Sequence, residues 1–201
     1  MKGIAIIDDD PTQRSVLKAL VEDAGYRVVA EGADGSVALG ICKDSRPDAV
    51  IMDVRMPGMD GITAAGVLAR LCPVPVVLLT ANDDPETVRR ATEAGVMAYL
   101  IKPVRAEELS PAIELACGRH AEFETLKREN RDLKSAVEAR KVIEKAKGLL
   151  MEKEGLTEAE AFARLRKTSM SRRKTMREVA DVIVLALGPG TGTRGGRGRR
   201  V

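Results

Sequence analysis

Tryptophan is absent from this 201-residue chain, and two tyrosines and two phenylalanines are its only aromatic residues. Nucleic-acid-binding sheets of the RRM or OB type need several exposed rings, so that architecture is not expected. Histidine occurs once, as His120. Ser/His and Cys/His constellations are therefore missing, no glycine-rich nucleotide loop follows a candidate strand, and a metabolic enzyme is not expected. The three cysteines, Cys42, Cys72 and Cys117, make neither a CxxC pair nor a disulfide ladder. All three are expected to be buried thiols of a reducing compartment. No apolar run approaches membrane-spanning length, and the apolar residues 4–7 pass straight into Asp8-Asp9-Asp10 without a signal-peptide core. A cytoplasmic protein with no membrane partner is expected.

What the chain does have is 44% hydrophobic and 31% charged residues, enough for buried cores in one large domain or a medium and a small one. Its charge is divided. Residues 1–119 hold 13 Lys+Arg against 18 Asp+Glu, a net −5, whereas residues 120–201 hold 20 against 12, a net +8. An acidic half joined to a basic half implies two domains with different partners, the basic one facing an anionic polymer. Within the acidic half, apolar β-branched runs at 3–7, 27–30, 49–52, 76–79 and 97–101 alternate with amphipathic stretches. That rhythm predicts a doubly wound five-stranded parallel sheet, covered on both faces by helices.

Helix starts are written in side-chain chemistry. Asp10-Pro11-Thr12-Gln13 puts a capping carboxylate before a proline at the first helical position, with Gln13 placed for a capping box, and Asp84-Pro85-Glu86 repeats the device. Asp10 is accordingly assigned to helix capping and not to a site. From 119 to 140 the chain lacks Gly and Pro, and Phe123, Leu126, Asn130, Leu133 and Val137 fall at three-four spacing. This is either a solvated continuation of the preceding helix or a short dimerising seam with a polar a position. A three-helix all-α bundle follows. Its first helix stops at Gly155, and Thr157/Glu160 and Thr175/Glu178 are capping boxes opening the other two. Ala161, Phe162 and Leu165 are expected to face inward on one helix, and Val179, Val182, Ile183 and Ala186 on the next. Phe162 is thus read as core in preference to a stacking platform. Gly148 inside a helix costs about 1 kcal/mol against alanine, and close helix packing is its expected reason. The resulting division is 1–118, a helical linker 119–135, a helical unit 136–187, and a disordered Gly/Arg-rich tail 188–201.

Ligands of an open parallel sheet bind beyond the carboxyl ends of its strands. Asp8 and Asp9, Asp53, Thr80 and Lys102 stand there. Carboxylates held together repel unless a cation joins them, and hard oxygen ligands favour Mg²⁺. Such a site lets one carboxylate act as nucleophile toward a phosphoryl group. Asp8-Asp9, the run Ile51-Met52-Asp53-Val54-Arg55-Met56-Pro57-Gly58-Met59-Asp60-Gly61, Leu79-Thr80-Ala81 and Ala98-Tyr99-Leu100-Ile101-Lys102-Pro103 together resemble the receiver domain of two-component response regulators. The resemblance implies a flavodoxin-like fold, a sensor histidine kinase as donor and Asp53 as phosphoacceptor. It further implies Mg²⁺ held by Asp9, Asp53 and the Arg55 backbone carbonyl, with Asp8 acting through water. Lys102 would contact the phosphoryl group ahead of a cis bond to Pro103, and Thr80 and Tyr99 would form the switch pair.

In the basic half, Arg140, Val142-Ile143, Ala146-Lys147-Gly148-Leu149-Leu150-Met151, Gly155-Leu156-Thr157-Glu158, Ala161-Phe162, Leu165-Arg166, Ser169-Met170 and Glu178-Val179-Ala180 resemble the ANTAR domain, an RNA-binding module of bacterial antiterminators. The resemblance implies a dimer, formed on phosphorylation, that binds RNA stem-loops in a nascent transcript so that a terminator hairpin cannot form. Arg140, Lys147, Arg166, Arg172 and Arg173 are the candidate RNA contacts. A DNA-binding activator and a protein-docking module remain as alternatives. The first is poorly served by the turn at 169–174, which is long and lacks glycine.

Overall fold

The computed structural model describes residues 1–81 and 85–188. The expected cap Asp84 and the tail from Pro189 onward lie outside the described residues. By compactness the chain divides into Met1–Leu126 and Lys127–Val201.

In the first unit every apolar run is a strand: β1 (Gly3–Ile7), β2 (Arg27–Gly32), β3 (Ala49–Asp53), β4 (Val76–Thr80) and β5 (Ala98–Ile101). They form one sheet in the order β2-β1-β3-β4-β5 with all pairs parallel. Parallel neighbours require crossovers, supplied by α1 (Pro11–Asp23), α2 (Ala38–Ser45), α3 (Gly61–Leu71) and α4 (Pro85–Glu93). Because successive strand side chains point to opposite faces, Ala5, Ile7, Val50, Met52 and Leu78 pack with Ala38, Cys42, Ile62 and Leu68 of α2 and α3. Ile4, Ile6, Ile51, Val77 and Leu79 pack on the other face with Leu17 and Val21 of α1 and Leu109 and Ile113 of α5 (Ala106–Glu154). Covering is incomplete at the edge strand β5, where Tyr99 and Ile101 are exposed.

Helix starts follow the expected chemistry with one change. Asp10 Oδ1 accepts from Thr12 N at 2.8 Å and Gln13 N at 3.4 Å, but the Asp10 N–H donates to Asp8 Oδ1 at 2.9 Å and not to a Gln13 side chain. The cap is therefore fastened to the neighbouring site residue. The expected burial of three thiols holds for Cys42 alone: Cys72 and Cys117 are half-buried, and none of the three is in a disulfide.

α5 is 49 residues long, with Pro111 in its second turn, and ends at Gly155, whose φ of +70° is a left-handed cap. In the second unit it is joined by α6 (Glu158–Arg172) and α7 (Met176–Leu187), each opened by a complete capping box, Thr157 with Glu160 and Thr175 with Glu178. Their core is Ala146, Leu150, Ala161, Leu165, Val179 and Ala180, backed by Ile183, Val184 and Leu187. Four expectations fail here. Phe162 is 44% exposed, the buried residues of α6 being Ala161 and Leu165. Val182 is 61% exposed, because the buried stripe of α7 runs through 179, 180, 183, 184 and 187. Ala186 is exposed with Val182. A Cβ placed on Gly148 would meet nothing within 4 Å, so packing is not the reason for that glycine. Phe123, Leu126, Asn130, Leu133 and Val137 of the linker stretch are all exposed.

Candidate functional site

Where the apolar strands stop, polar side chains gather. The register sets Ile7 beside Met52, Asp53 beside Leu79 and Thr80 beside Ile101, so the residues that follow β1 and end β3 and β4 share one rim of the sheet. Lys102 joins them from the end of β5, where its N–H donates to the Thr80 carbonyl at 2.7 Å and its bond to Pro103 is cis. Its ammonium lies 2.8 Å from Asp8 Oδ2 and 2.9 Å from Asp53 Oδ1. Asp8, Asp53 and Thr80 are all buried, whereas Asp9 is exposed. One carboxylate oxygen from each of Asp8, Asp9 and Asp53 can be chosen so that all lie within 4.8 Å of one another.

The electrostatics follow from burial and pairing. Burial pushes the Asp53 carboxyl above its ordinary value, and the Lys102 hydrogen bond and charge pull it part of the way back. For Lys102 burial works against the ammonium, but the hydrogen bonds to Asp8 and Asp53 outweigh it and leave the lysine raised. The ammonium is thus firmly charged, as it must be to hold two buried carboxylates together.

Several residues beyond the carboxylates, Thr80 and Lys102 support the rim. Arg14, one turn into α1, donates to the carbonyls of Asp8 at 2.7 Å and Asp9 at 3.3 Å, pinning the loop that presents both carboxylates. Gly61 opens α3 directly beneath the acceptor: a Cβ there would stand 2.0 Å from the Asp53 carbonyl oxygen, so only glycine fits. Asp60 caps α3 through Thr63 N at 2.7 Å and pairs with Arg90 of α4 at 3.1 Å. Arg55, exposed on the loop after β3, lines a cavity of about 420 Å³ together with Met56, Pro57, Asp60, Thr87 and Arg90. Tyr99 is 45% exposed.

The second unit separates its basic residues into two groups. Lys147, expected among the outward contacts, is buried and held by Glu158 at 2.7 Å and Glu144 at 3.0 Å. Both carboxylates raise the lysine, and the bond to Glu158 joins α5 to α6. Arg164 is paired with Glu154, Lys174 with Glu178 and Arg177 with Asp181. Arg140, Arg166, Arg172 and Arg173 are exposed, and among the described residues they make no ion pair.

An acidic rim with a bridging lysine on a flavodoxin-like five-stranded sheet defines the receiver class of domain. Residues 4–114 match the family Response regulator receiver domain, and residues 131–184 match the family ANTAR domain. The chain is 43% identical over 187 residues to the transcriptional regulatory protein PdtaR of Mycobacterium tuberculosis, covering 93% of this chain and 91% of that one. It is 40% identical over 120 residues to the positive alginate biosynthesis regulatory protein of Pseudomonas aeruginosa, covering 57% and 46%. Among solved structures it resembles the signal receiver domain of a modulated diguanylate cyclase from Desulfovibrio desulfuricans, with 32% identity and a TM-score of 0.56 over 60% of this chain and 97% of that one. The chain belongs to the response regulators that carry a receiver domain followed by an ANTAR domain. Among the described residues no helix is long and apolar enough to cross a membrane.

Proposed function

We propose that this response regulator accepts a phosphoryl group on Asp53 and then binds RNA stem-loops in nascent transcripts, permitting transcription through a terminator. The observation that carries the reading is the single Lys102 ammonium held 2.8 Å from Asp8 and 2.9 Å from Asp53, on a chain whose other half matches ANTAR. An Asp53 oxygen forms the new bond to phosphorus as the bond from phosphorus to the donor histidine of a sensor kinase breaks. Lys102 and the Thr80 hydroxyl receive the added charge. The donor set suits Mg²⁺, since three hard carboxylate oxygens can converge around a small cation. Asp8, Asp9, Asp53 and the Arg55 carbonyl would hold the ion, which when bound offsets the charge of the carboxylates and the phosphoryl oxygens.

Thr80 and Tyr99 form the switch pair: as the hydroxyl moves toward the phosphoryl group, the exposed Tyr99 ring turns in behind it. Residues 1–118 act as receiver, 119–135 as a linker whose exposed seam supports a homodimer on phosphorylation, and 136–187 as the RNA-binding unit. Arg140, Arg166, Arg172 and Arg173 have charge free for RNA, while Lys147 serves to hold α5 against α6. Transcript binding places the protein in the cytoplasm, and phosphoryl transfer to and from itself is its only chemistry. The relative from Mycobacterium tuberculosis, described as a transcriptional regulatory protein, supports an output on transcription.

The test is labelling by acetyl phosphate with Mg²⁺, followed by gel shifts on stem-loop RNA and on duplex DNA of equal length at two salt concentrations. Asp53→Asn is expected to take no label, and wild type to retain RNA better than DNA. Label on the variant, or a preference for the DNA duplex, overturns the reading.

A further inference from the structure

Of the four crossover helices α4 has the least hold on the core. It buries Ala91 alone, whereas α1 and α2 each bury two residues and α3 five. In place of packed side chains, a cavity of about 420 Å³ lies between α4 and the loop after Asp53, with Val54 and Met56 lining it from the loop and Thr87 and Arg90 from the helix. One ion pair spans it: the Arg90 guanidinium donates to Asp60 Oδ2 at 3.1 Å. Asp60 is the only acidic residue lining the cavity. Its other oxygen accepts from Thr63 N at 2.7 Å and so caps α3. The next residue, Gly61, lies against the acceptor backbone. Its N–H donates to the Val54 carbonyl at 3.0 Å, and a Cβ there would stand 2.0 Å from the Asp53 carbonyl oxygen. Arg90 therefore ties a thinly packed helix to a point fixed against the phosphoacceptor.

The amino end of α4 is tied to the switch. Thr80, buried at the end of β4, is followed by residues 81–84 and then by Pro85, the first residue of α4. A displacement of Thr80 toward a phosphoryl group draws on the chain that enters α4, while Arg90 holds the helix back. Both partners of the ion pair are partly exposed, and such a pair biases an equilibrium by no more than about fivefold. That bias is small enough for phosphorylation to override and large enough to shift the resting population. We infer that the Arg90–Asp60 pair is a latch, which holds α4 to the acceptor loop in the unphosphorylated chain and opens when Thr80 moves. Arg90 acts through Asp60 and is a positioning residue. The inference rests on the proposal that Asp53 takes the phosphoryl group, and it names a contact that this event must break.

The experiment is amide hydrogen exchange of peptides covering residues 85–93 in the full chain, with and without acetyl phosphate and Mg²⁺. Wild type is expected to exchange faster there once phosphorylated. Arg90→Gln is expected to exchange about two- to fivefold faster than wild type without phosphate, and at the wild-type rate with it. Asp60→Asn removes the charge and keeps the cap of α3, since asparagine caps as well as aspartate. It is expected to match Arg90→Gln, and the double variant to exceed neither. Arg90→Lys, which keeps the charge, is expected to restore slow exchange. Unphosphorylated Arg90→Gln is also expected to bind stem-loop RNA up to about fivefold more tightly than wild type. Wild-type exchange in unphosphorylated Arg90→Gln overturns the latch, and so do additive effects of the two variants. An equal acceleration by Arg90→Gln in both states also overturns it, assigning the pair to helix stability alone. Labelled wild type with unchanged exchange in α4 overturns the latch and leaves phosphoryl transfer to Asp53 standing. Failure of the wild type to take label overturns the functional reading itself. Failure to bind stem-loop RNA, with the exchange results as expected, overturns the RNA output and supports the latch.

Discussion

At Asp53 burial and charge oppose one another. Burial raises its carboxyl, with Lys102 in partial opposition. A group raised in the folded state contributes stability that is fully present below its unfolded value, near 3.8, and is lost as pH rises through the folded value. Asp53→Asn is therefore expected to melt higher than wild type at pH 7, with the gap closing toward pH 3. A lower midpoint for the variant at pH 7 contradicts this account of the site. Gly148 makes the complementary case on α5. With nothing near its missing Cβ, Gly148→Ala is expected to raise stability by about 1 kcal/mol in urea unfolding. The strand-end residues are legible in the sequence because a strand ends where its apolar run ends, which fixes Asp8, Asp53, Thr80 and Lys102. The roles of Arg14 and of Gly61, which closes the receiver-like run, are not, since they depend on backbone atoms brought close only by folding.

Among the elements, α6 and α7 show how far local chemistry reaches. Both capping boxes form as written, with Thr157 Oγ1 accepting from Glu160 N at 3.3 Å and Thr175 Oγ1 from Glu178 N at 3.2 Å. Thr157→Ala and Thr175→Ala are each expected to cost about 1 kcal/mol. In Glu160 the side-chain hydrogen bond to Thr157 holds the carboxyl below its usual range, and in Glu178 the backbone bond from Thr175 does so. Lowered groups contribute stability above their unfolded value, about 4.5, and lose it as pH falls through the folded value. Helicity is thus expected to fall with acid below pH 4.5 more steeply in wild type than in the threonine variants, as read by circular dichroism. The facing of α7 is less legible. Apolar residues at 179, 180 and 182–187 admit two phases of a 3.6-residue period, and only packing against α5 and α6 selects the one that leaves Val182 and Leu185 outside. Phe162 is ambiguous in the same way, since it shares an apolar face with Ala161 and Leu165 in the sequence and only those two are buried.

For the whole molecule, the question raised by the proposed function is how one phosphoryl group influences the half that matches ANTAR. A charge-assisted hydrogen bond to Thr80 contributes about 1.5–3 kcal/mol, whereas reversing a 1:99 equilibrium takes about 5.5 kcal/mol. Under the proposed function, the contact to Lys102 and a homodimer interface would supply the difference. The exposed residues Phe123, Leu126, Leu133 and Val137 give that interface a place along α5. The two-part organisation is legible from charge alone, because the change from net negative to net positive falls near residue 119 while compactness divides the chain after Leu126. The measurement that bears most directly on the account is stem-loop RNA affinity of the full chain with and without acetyl phosphate and Mg²⁺, in wild type and in Asp53→Asn. The account predicts at least about tenfold tighter binding on phosphorylation of wild type, corresponding to about 1.4 kcal/mol of coupling, and no response in the variant. Equal affinity in both states of the wild type, or a gain that persists in Asp53→Asn, would contradict it.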